Sequence, residues 1–170
     1  MKRFFLLGIT LMVSAVMLMT ACKKDETNNG NNDGTDAGYV NLGLPSGTKW
    51  KSTNETGGYN GFYTYDEAMS TFGNKLPSKE QLEELIDECT WVWQNNGYKV
   101  TGANGNSIVL PAEGLRSCSG EVSGTGVYGN YWSSTFEDED YAYYLFFDPD
   151  EMDWYSYERC IGRSIRLVKK

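Results

Sequence analysis

The sequence of residues 39–170 predicts an α+β domain, with two helices in its first half and strands in the remainder. Apolar residues recur at helical spacing between residues 66 and 89, and alternation with a period of two follows from residue 90 onward. Glycine occurs 19 times in the chain, often in Asn-Gly, Gly-Asn and Gly-Tyr steps. Such steps mark turns, so the strands are expected to be short and numerous.

The first elements follow from local signals. Tyr39–Leu42 and Thr48–Lys51 alternate apolar with polar residues across a Pro-Ser-Gly turn, which predicts two short strands. A short helix is predicted over Asp66–Phe72, behind Thr64. The next helix opens with a capping box, because Ser78 at the N-cap is followed by Gln81 at N3. Its buried face is predicted to hold Leu82, Leu85, Ile86 and Cys89.

Strand signals fill the rest of the chain. Thr90–Gln94 and Tyr98–Thr101 flank Asn95-Asn96-Gly97, which predicts a hairpin with Asn-Gly at its tip. Further strands are predicted at residues 107–110, 130–133, 142–147 and 164–168. The strand at 142–147 is apolar on both faces, with Tyr143, Leu145 and Phe147 on one face and Tyr144 and Phe146 on the other. We therefore expect this strand in the middle of the fold.

Six motifs in order carry a resemblance to a known family. They are YVNLGLPSGTKW (39–50), LPS (76–78), GYKVTG (97–102), NGNSI with LPA (104–112), YWSS (131–134) and GRSIRLV (162–168). Residues 39–170 thereby resemble the Fibrobacter succinogenes major paralogous domain, a module of bacterial surface proteins. The resemblance implies a C-type-lectin-like fold, a mixed or antiparallel sheet with two helices and long loops. It also implies kinship with the fold of formylglycine-generating enzymes, but no defined activity.

The N-terminal segment predicts the compartment. Residues 1–21 have a basic start, an apolar run and small residues at the end, as in a secretory signal peptide. Cys22 follows, and this arrangement resembles the lipobox of bacterial lipoproteins, so cleavage before Cys22 and acylation of its thiol are expected. The alternative is an uncleaved anchor helix, although the run of sixteen apolar residues is shorter than the roughly 20 that span a bilayer.

The residues after Cys22 bear on topology. Lys23 differs from the aspartate that retains enterobacterial lipoproteins at the inner membrane, and Lys24-Asp25-Glu26 looks like the export signal of Bacteroidetes surface lipoproteins. We therefore expect a lipid anchor in the outer membrane, with the protein facing outward. Residues 22–38 contain almost no apolar side chain, which predicts a flexible tether.

Charge and composition exclude several function classes. Without the signal peptide the chain has 13 basic and 23 acidic residues, a net charge of −10. Such a chain repels phosphate backbones, so no nucleic-acid partner is expected. The chain also contains no histidine, which removes His-based triads and HExxH metalloproteases.

Three cysteines remain beside the one at the predicted lipidation site. In an oxidising compartment two of them are expected to pair. The pair Cys118 and Cys160 is favoured because both lie in the glycine-rich second half, whereas Cys89 closes a helical segment and suits the core. The other two pairings and three reduced thiols stay open.

Two clusters are candidates for chemistry. Asp148–Asp153 holds four carboxylates in six residues, a composition that calcium uses, but the spacing is not that of an EF-hand. We interpret it as a solvated acidic turn and expect no metal or cofactor. Trp154, Tyr155 and Tyr157 follow this turn, and they are predicted to form an exposed loop that binds a glycan or a surface protein. The alternative is that these rings fill the core.

Enzymatic signals are weak. Cys160 has no histidine near it, Ser133-Ser134 lack a base, and nothing pairs Glu113 with Glu121. The sequence therefore favours a non-enzymatic binding module on the cell surface. The alternatives are a structural component of an envelope or fimbria-like assembly and, least favoured, an enzyme related to formylglycine-generating enzymes.

Overall fold

The computed structural model describes residues 37–170. The predictions for the signal peptide (1–21), for Cys22 and for the tether up to residue 36 lie outside the described residues. The described part is an α+β unit of mostly antiparallel strands in small sheets with two helices, as the sequence predicts. Its elements are β1 (Tyr39–Asn41), β2 (Lys49–Lys51), α1 (Tyr65–Phe72), α2 (Lys79–Glu88), β3 (Thr90–Trp93), β4 (Gly97–Thr101), β5 (Ser107–Pro111), β6 (Leu115–Arg116), β7 (Val122–Ser123), β8 (Gly129–Phe136), β9 (Tyr141–Phe147), β10 (Met152–Glu158) and β11 (Val168–Lys169).

Both helices begin at capping boxes. The Thr64 hydroxyl accepts a bond from the Glu67 backbone N–H, and the Glu67 carboxylate accepts one from the Thr64 N–H. Ser78 and Gln81 exchange the same two bonds at the start of α2, which confirms the predicted cap. These bonds satisfy backbone donors that the first turn of a helix leaves unpaired. Within residues 37–170 no helix has the length and the apolar character needed to cross a bilayer.

Four antiparallel sheets are present in the described chain, in the orders β1-β2-β11, β3-β4-β5, β10-β9-β8 and β6-β7. The predicted hairpin of β3 and β4 is confirmed, but its tip is Asn95-Asn96 and not the predicted Asn-Gly step, because Gly97 already belongs to β4. Asn95 and Asn96 both have positive φ (49° and 60°), as a tight hairpin turn requires. The predicted central position of residues 142–147 is also confirmed, because β9 lies between β8 and β10. The short strands β6 and β7 were not predicted.

The predicted strand at residues 164–168 is wrong for most of its length. Only Val168 belongs to a strand, β11, which pairs with Trp50 in β2. Before it, Gly162, Arg163 and Ser164 form single bridges to three different segments, at Arg116, Tyr63 and Tyr131. A strand needs consecutive pairing with one neighbour. This segment instead crosses between neighbours, and it is buried at every residue from 161 to 168.

The predicted loop at Trp154–Tyr157 is also wrong, because these residues lie in β10. They pair with β9 in continuous register from Met152 opposite Phe147 to Glu158 opposite Tyr141. Aromatic residues favour strands, and the acidic turn that precedes them closes a β9-β10 hairpin. The acidic run was interpreted as the beginning of a loop, whereas it is only the tip of that hairpin.

Two hydrophobic clusters fill the interior. The first contains Trp50, Leu82, Leu85 and Phe147 among its members, and the second contains Tyr65, Trp132 and Ile165. Strand β9 contributes to both, because its alternate side chains point to opposite faces. Leu145 belongs to the first cluster, and Ala142 belongs to the second.

Buried polar groups connect the C-terminal segment to the rest of the unit. The Arg166 guanidinium donates to Asn54 Oδ1 at 2.8 Å, to the Lys51 carbonyl at 2.9 Å and to the Val109 carbonyl at 2.6 Å. The Asn54 amide donates in turn to the Tyr131 hydroxyl and to Glu113 Oε2. Burying a guanidinium costs less free energy when its donors are satisfied, and Arg166 bonds to two segments, residues 51–54 after β2 and Val109 in β5.

A disulfide joins Cys118 to Cys160, the pairing that the sequence favoured. It connects the loop after β6 to the turn that follows β10, across 42 residues. Cys89 is free and half-buried against the first hydrophobic cluster. Burial raises the pKa of its thiol, and Glu88 and Glu84 add to the effect.

Candidate functional site

One face of the β8-β9-β10 sheet carries a group of neighbouring aromatic rings. Tyr144 and Phe146 of β9 share this face with residues of β10, because the register places Tyr144 opposite Tyr155 and Ala142 opposite Tyr157. Tyr128, one residue before β8, extends the group. We call the set the aromatic face; it consists of Tyr128, Tyr144, Phe146, Tyr155 and Tyr157.

The rings of the aromatic face support one another. Tyr155 lies 6.0 Å from the ring centroid of Tyr144 and 6.0 Å from that of Phe146, while Tyr128 lies 5.7 Å from Phe146. These are the separations at which aromatic pairs attract. Tyr155 is 41% exposed and Tyr157 is 50% exposed, whereas the rings below them are half-buried. The exposed rings therefore stand on a fixed base.

Trp154 does not belong to this face. Side chains alternate along a strand, so Trp154 points to the side of β10 opposite to Tyr155 and Tyr157. It is half-buried against the first hydrophobic cluster, and the Lys79 ammonium lies 5.5 Å from its ring. Of the three predicted ligand-binding residues, Tyr155 and Tyr157 therefore lie together on one face, whereas Trp154 packs against the first hydrophobic cluster.

A buried arginine lies beneath the aromatic face. The Arg163 guanidinium is 3.3 Å from the ring centroid of Tyr144 and 4.6 Å from that of Trp132, and its Nη1 donates to Asn130 Oδ1 at 2.8 Å. Burial lowers the pKa of Arg163 to about 10, so the group stays positively charged at neutral pH. The cation is stabilised by the two ring faces, and it fixes the position of Tyr144.

A shallow cleft opens beside this arginine. It has a volume of about 230 Å³ and is lined by Leu115, Tyr144, Tyr157, Ile161 and Arg163. The half-exposed ring of Tyr157 forms one wall, so a ligand on the aromatic face has a recess next to it. Arg163 and Tyr144 were not predicted as parts of this site, because neither residue shows its role until β9 and β10 are paired.

The rim of the aromatic face is acidic. The Tyr155 hydroxyl donates to Glu151 Oε1 at 2.5 Å, and this bond raises the pKa of Tyr155 to about 12. Asp153 lies on the same side of β10 as Tyr155, two residues away. Negative charge next to the rings disfavours phosphates, sulfates and acidic sugars as ligands.

The acidic turns form local hydrogen bonds. Asp148 Oδ1 accepts from the backbone N–H of Asp150 at 2.8 Å and from that of Glu151 at 2.7 Å. Asp138 Oδ1 accepts in the same way from Asp140 and Tyr141. One carboxylate oxygen in each turn therefore stabilises the turn itself.

One group of three ligand-type residues is found among residues 37–170, formed by Cys118, Glu158 and Cys160. Both cysteines are in the disulfide, so they offer no thiolate to a metal ion.

The residues considered as catalytic candidates form structural hydrogen bonds or the disulfide. Ser133 Oγ is buried and donates to the Tyr143 carbonyl at 2.9 Å. Glu113 Oε2 accepts from Asn54 and from the Ser164 hydroxyl, so it belongs to the buried network around Arg166. Cys160 is oxidised in the disulfide and has no free thiol for attack.

Comparison with protein-family models, with curated proteins and with solved structures finds no match. The function is therefore argued from the geometry of the aromatic face and from the residues around it.

The two sides of β10 predict a difference in stability. Trp154→Ala removes a ring packed against the first cluster and should lower the free energy of unfolding by about 2 kcal/mol or more. Tyr155→Ala removes a half-exposed ring with two ring contacts and should cost about 1 kcal/mol or less. Urea denaturation of the two variants and the wild type measures both values. Equal losses, or a larger loss for Tyr155→Ala, would show that the face is part of the core.

Proposed function

We propose that this protein is a lipoprotein anchored through Cys22 in the outer membrane, and that its domain binds a glycan or a surface protein without catalysing a reaction. The observation that carries the binding function is the aromatic face. Tyr155 and Tyr157 are exposed there on a regular strand, with Tyr155 against the rings of Tyr144 and Phe146 and Tyr157 lining the cleft with Tyr144 and Arg163. Exposed rings on a fixed base are the anchors that contribute most to binding energy.

A neutral glycan fits the site best. The faces of pyranose rings carry C–H groups that pack on aromatic rings, and their hydroxyls need hydrogen-bond acceptors close by. Glu151 and Asp153 supply carboxylate oxygens next to Tyr155. The same carboxylates repel anionic ligands. Because the rings stand on β9 and β10, little conformational entropy is lost on binding.

The proposed fold within the α+β class is C-type-lectin-like. The pairing of β11 with β2 supports this proposal, because it brings the two ends of the described unit into one sheet. The two early helices and the parallel bridge between Tyr131 and Ser164, which makes the strand arrangement mixed, support it as well. A shared fold alone does not assign a ligand, so the glycan proposal depends on the aromatic face.

Assembly into an envelope or fimbria-like structure is the second candidate. Strand β10 is seven residues long and lies at the edge of its sheet. The backbone hydrogen bond from the Asp148 N–H to the Glu151 carbonyl sets the register of the hairpin. In this register the backbone N–H and C=O groups of four residues point away from β9, namely those of Met152, Trp154, Ser156 and Glu158. Edges of this kind accept an added strand. However, Asp153 Oδ1 already accepts from the Trp154 N–H at 2.7 Å, and Asp153 and Glu158 add charge to the edge. These features are typical of protected edges, so ligand binding is favoured over assembly.

The binding proposal predicts which rings matter. In a glycan array probed with the mature chain (residues 22–170), neutral glycans should bind, and Tyr155→Ala and Tyr157→Ala should each weaken binding about tenfold, a loss of about 1.4 kcal/mol. Tyr141→Ala is the matched control, because Tyr141 is 38% exposed on the other face of the same sheet. The proposed site would be contradicted if the affinity for the glycan is unchanged in both variants, or if Tyr141→Ala lowers it equally.

The anchor is tested separately. When cells that express the full chain are grown with radiolabelled fatty acid, the wild-type protein should carry the label. The Cys22→Ser variant should carry none, because the thiol that is acylated is missing. Cys89→Ser is the control, since Cys89 is the free thiol of the described unit and should not affect labelling. Equal labelling of wild type and Cys22→Ser would remove the lipoprotein assignment.

A further inference from the structure

The lysines of the domain are unevenly distributed. Residues 39–170 contain seven lysines, and five of them lie on the β1-β2-β11 sheet or next to it. We call these five the lysine face; they are Lys49, Lys51, Lys75, Lys169 and Lys170. The other two, Lys79 and Lys99, lie at the start of α2 and in β4. The domain is acidic as a whole, so this concentration of positive charge sets one surface apart.

The strand register places these side chains together. Lys169 lies directly opposite Lys49, and Lys51 is two residues from Lys49 on the same side of β2. Between them Trp50 points the other way, into the first hydrophobic cluster. The register therefore concentrates three ammonium groups on one side of the sheet.

A cleft next to the sheet continues the positive surface. It has a volume of about 420 Å³, and Lys75, Lys169 and Lys170 line it together with Asn74, Gln81 and Val168. No acidic side chain is among these lining residues. Within the lysine face, Lys51 is paired with Glu55, while Lys75 and Lys170 are exposed. The cleft therefore offers ammonium groups to an anion outside the protein.

The N-terminal connection determines which anionic surface is close. Strand β1 begins at Tyr39, and the Lys169 ammonium lies 4.8 Å from the Tyr39 ring, so the chain leaves the unit at the lysine face. Cys22 precedes Tyr39 by 17 residues. A polar linker of that length has a mean span of roughly 20 to 25 Å. An anchor at Cys22 would thus keep the lysine face close to the lipid headgroups.

We propose that the lysine face docks on the anionic headgroups of the membrane to which the chain is anchored. The inference rests on the proposed anchor at Cys22 for its location, but not on the aromatic face or its ligand. Clusters of lysines next to a lipid attachment are attracted to anionic leaflets, and the attraction falls off within a Debye length of about 10 Å at 0.1 M salt. Docking would orient the domain, which a tether alone does not do.

The test imposes the anchor chemically. The mature chain (residues 22–170) with Cys89→Ser is coupled through Cys22 to a maleimide lipid in phosphatidylcholine vesicles, with or without phosphatidylglycerol. Cys118 and Cys160 do not react, because they are joined in the disulfide. Each lysine is then labelled with a water-soluble amine reagent and quantified by mass spectrometry. Because coupling does not need cellular acylation, failure here and failure of the lipoprotein assignment are separate results.

Docking predicts site-specific protection. On vesicles with phosphatidylglycerol, Lys75, Lys169 and Lys170 should be labelled at least about threefold more slowly than on phosphatidylcholine alone, and 1 M salt should remove the difference. Lys99 is the internal control, because it is exposed in β4, away from the lysine face, and should react equally on both vesicles. Equal labelling of Lys75 and Lys170 on both vesicles would overturn the proposal. Protection by inorganic phosphate on neutral vesicles would overturn it too, since it would show simple ion binding.

A charge-reversal pair completes the test. Lys75→Glu with Lys170→Glu should abolish the protection of Lys169, because two of the five positive charges are inverted, whereas Lys99→Glu should leave it unchanged. Both variants change exposed residues, so both are expected to fold. If Lys169 stays protected in the double variant, or loses protection in Lys99→Glu, the lysine face is not the docking surface.

Discussion

The return of the C-terminal segment through the centre of the domain is the constraint on which the other elements depend. Residues 161–168 are buried throughout, and their backbone bonds go to several segments in place of one strand. Gly162 pairs with Arg116, Arg163 with Tyr63 and Ser164 with Asn130, while the Arg166 side chain donates to two further segments, residues 51–54 and β5. Among residues 37–170 no strand pairing joins the four sheets to one another, so the hydrogen bonds of this segment hold them together.

The candidate site depends on the same segment. Arg163 leaves the central segment and lies between the rings of Trp132 and Tyr144, and Tyr144 in turn supports Tyr155 on the surface. Tyr155 is therefore connected to the core by a chain of ring–ring and cation–ring contacts. The proposed binding surface is built on strands over a buried cation, so it keeps its shape without a ligand.

Local signals in the sequence predicted local structure. The capping box at Ser78 and the hairpin of β3 and β4 were correct, apart from a tip one residue earlier than predicted, because their bonds join residues a few positions apart. Residues 164–168 and the aromatic run at 154–157 were misassigned, because their partners lie far away in the sequence. Tyr155 and Tyr157 were predicted to be exposed. That Trp154 is not part of the aromatic face and that Tyr144 is part of it follows only from the register of β9 against β10.

Native-state hydrogen exchange tests the central role of the C-terminal segment most directly. The amides of Gly162, Arg163 and Ser164 donate to three separate segments, so they should be released only when the whole domain unfolds. Measured at rising denaturant concentrations, their opening free energies should merge with that of global unfolding and match those of β8 and β9. Exchange of these three amides by local opening at low denaturant, while β8 and β9 stay protected, would show that the chain end frays and that the domain is held together elsewhere.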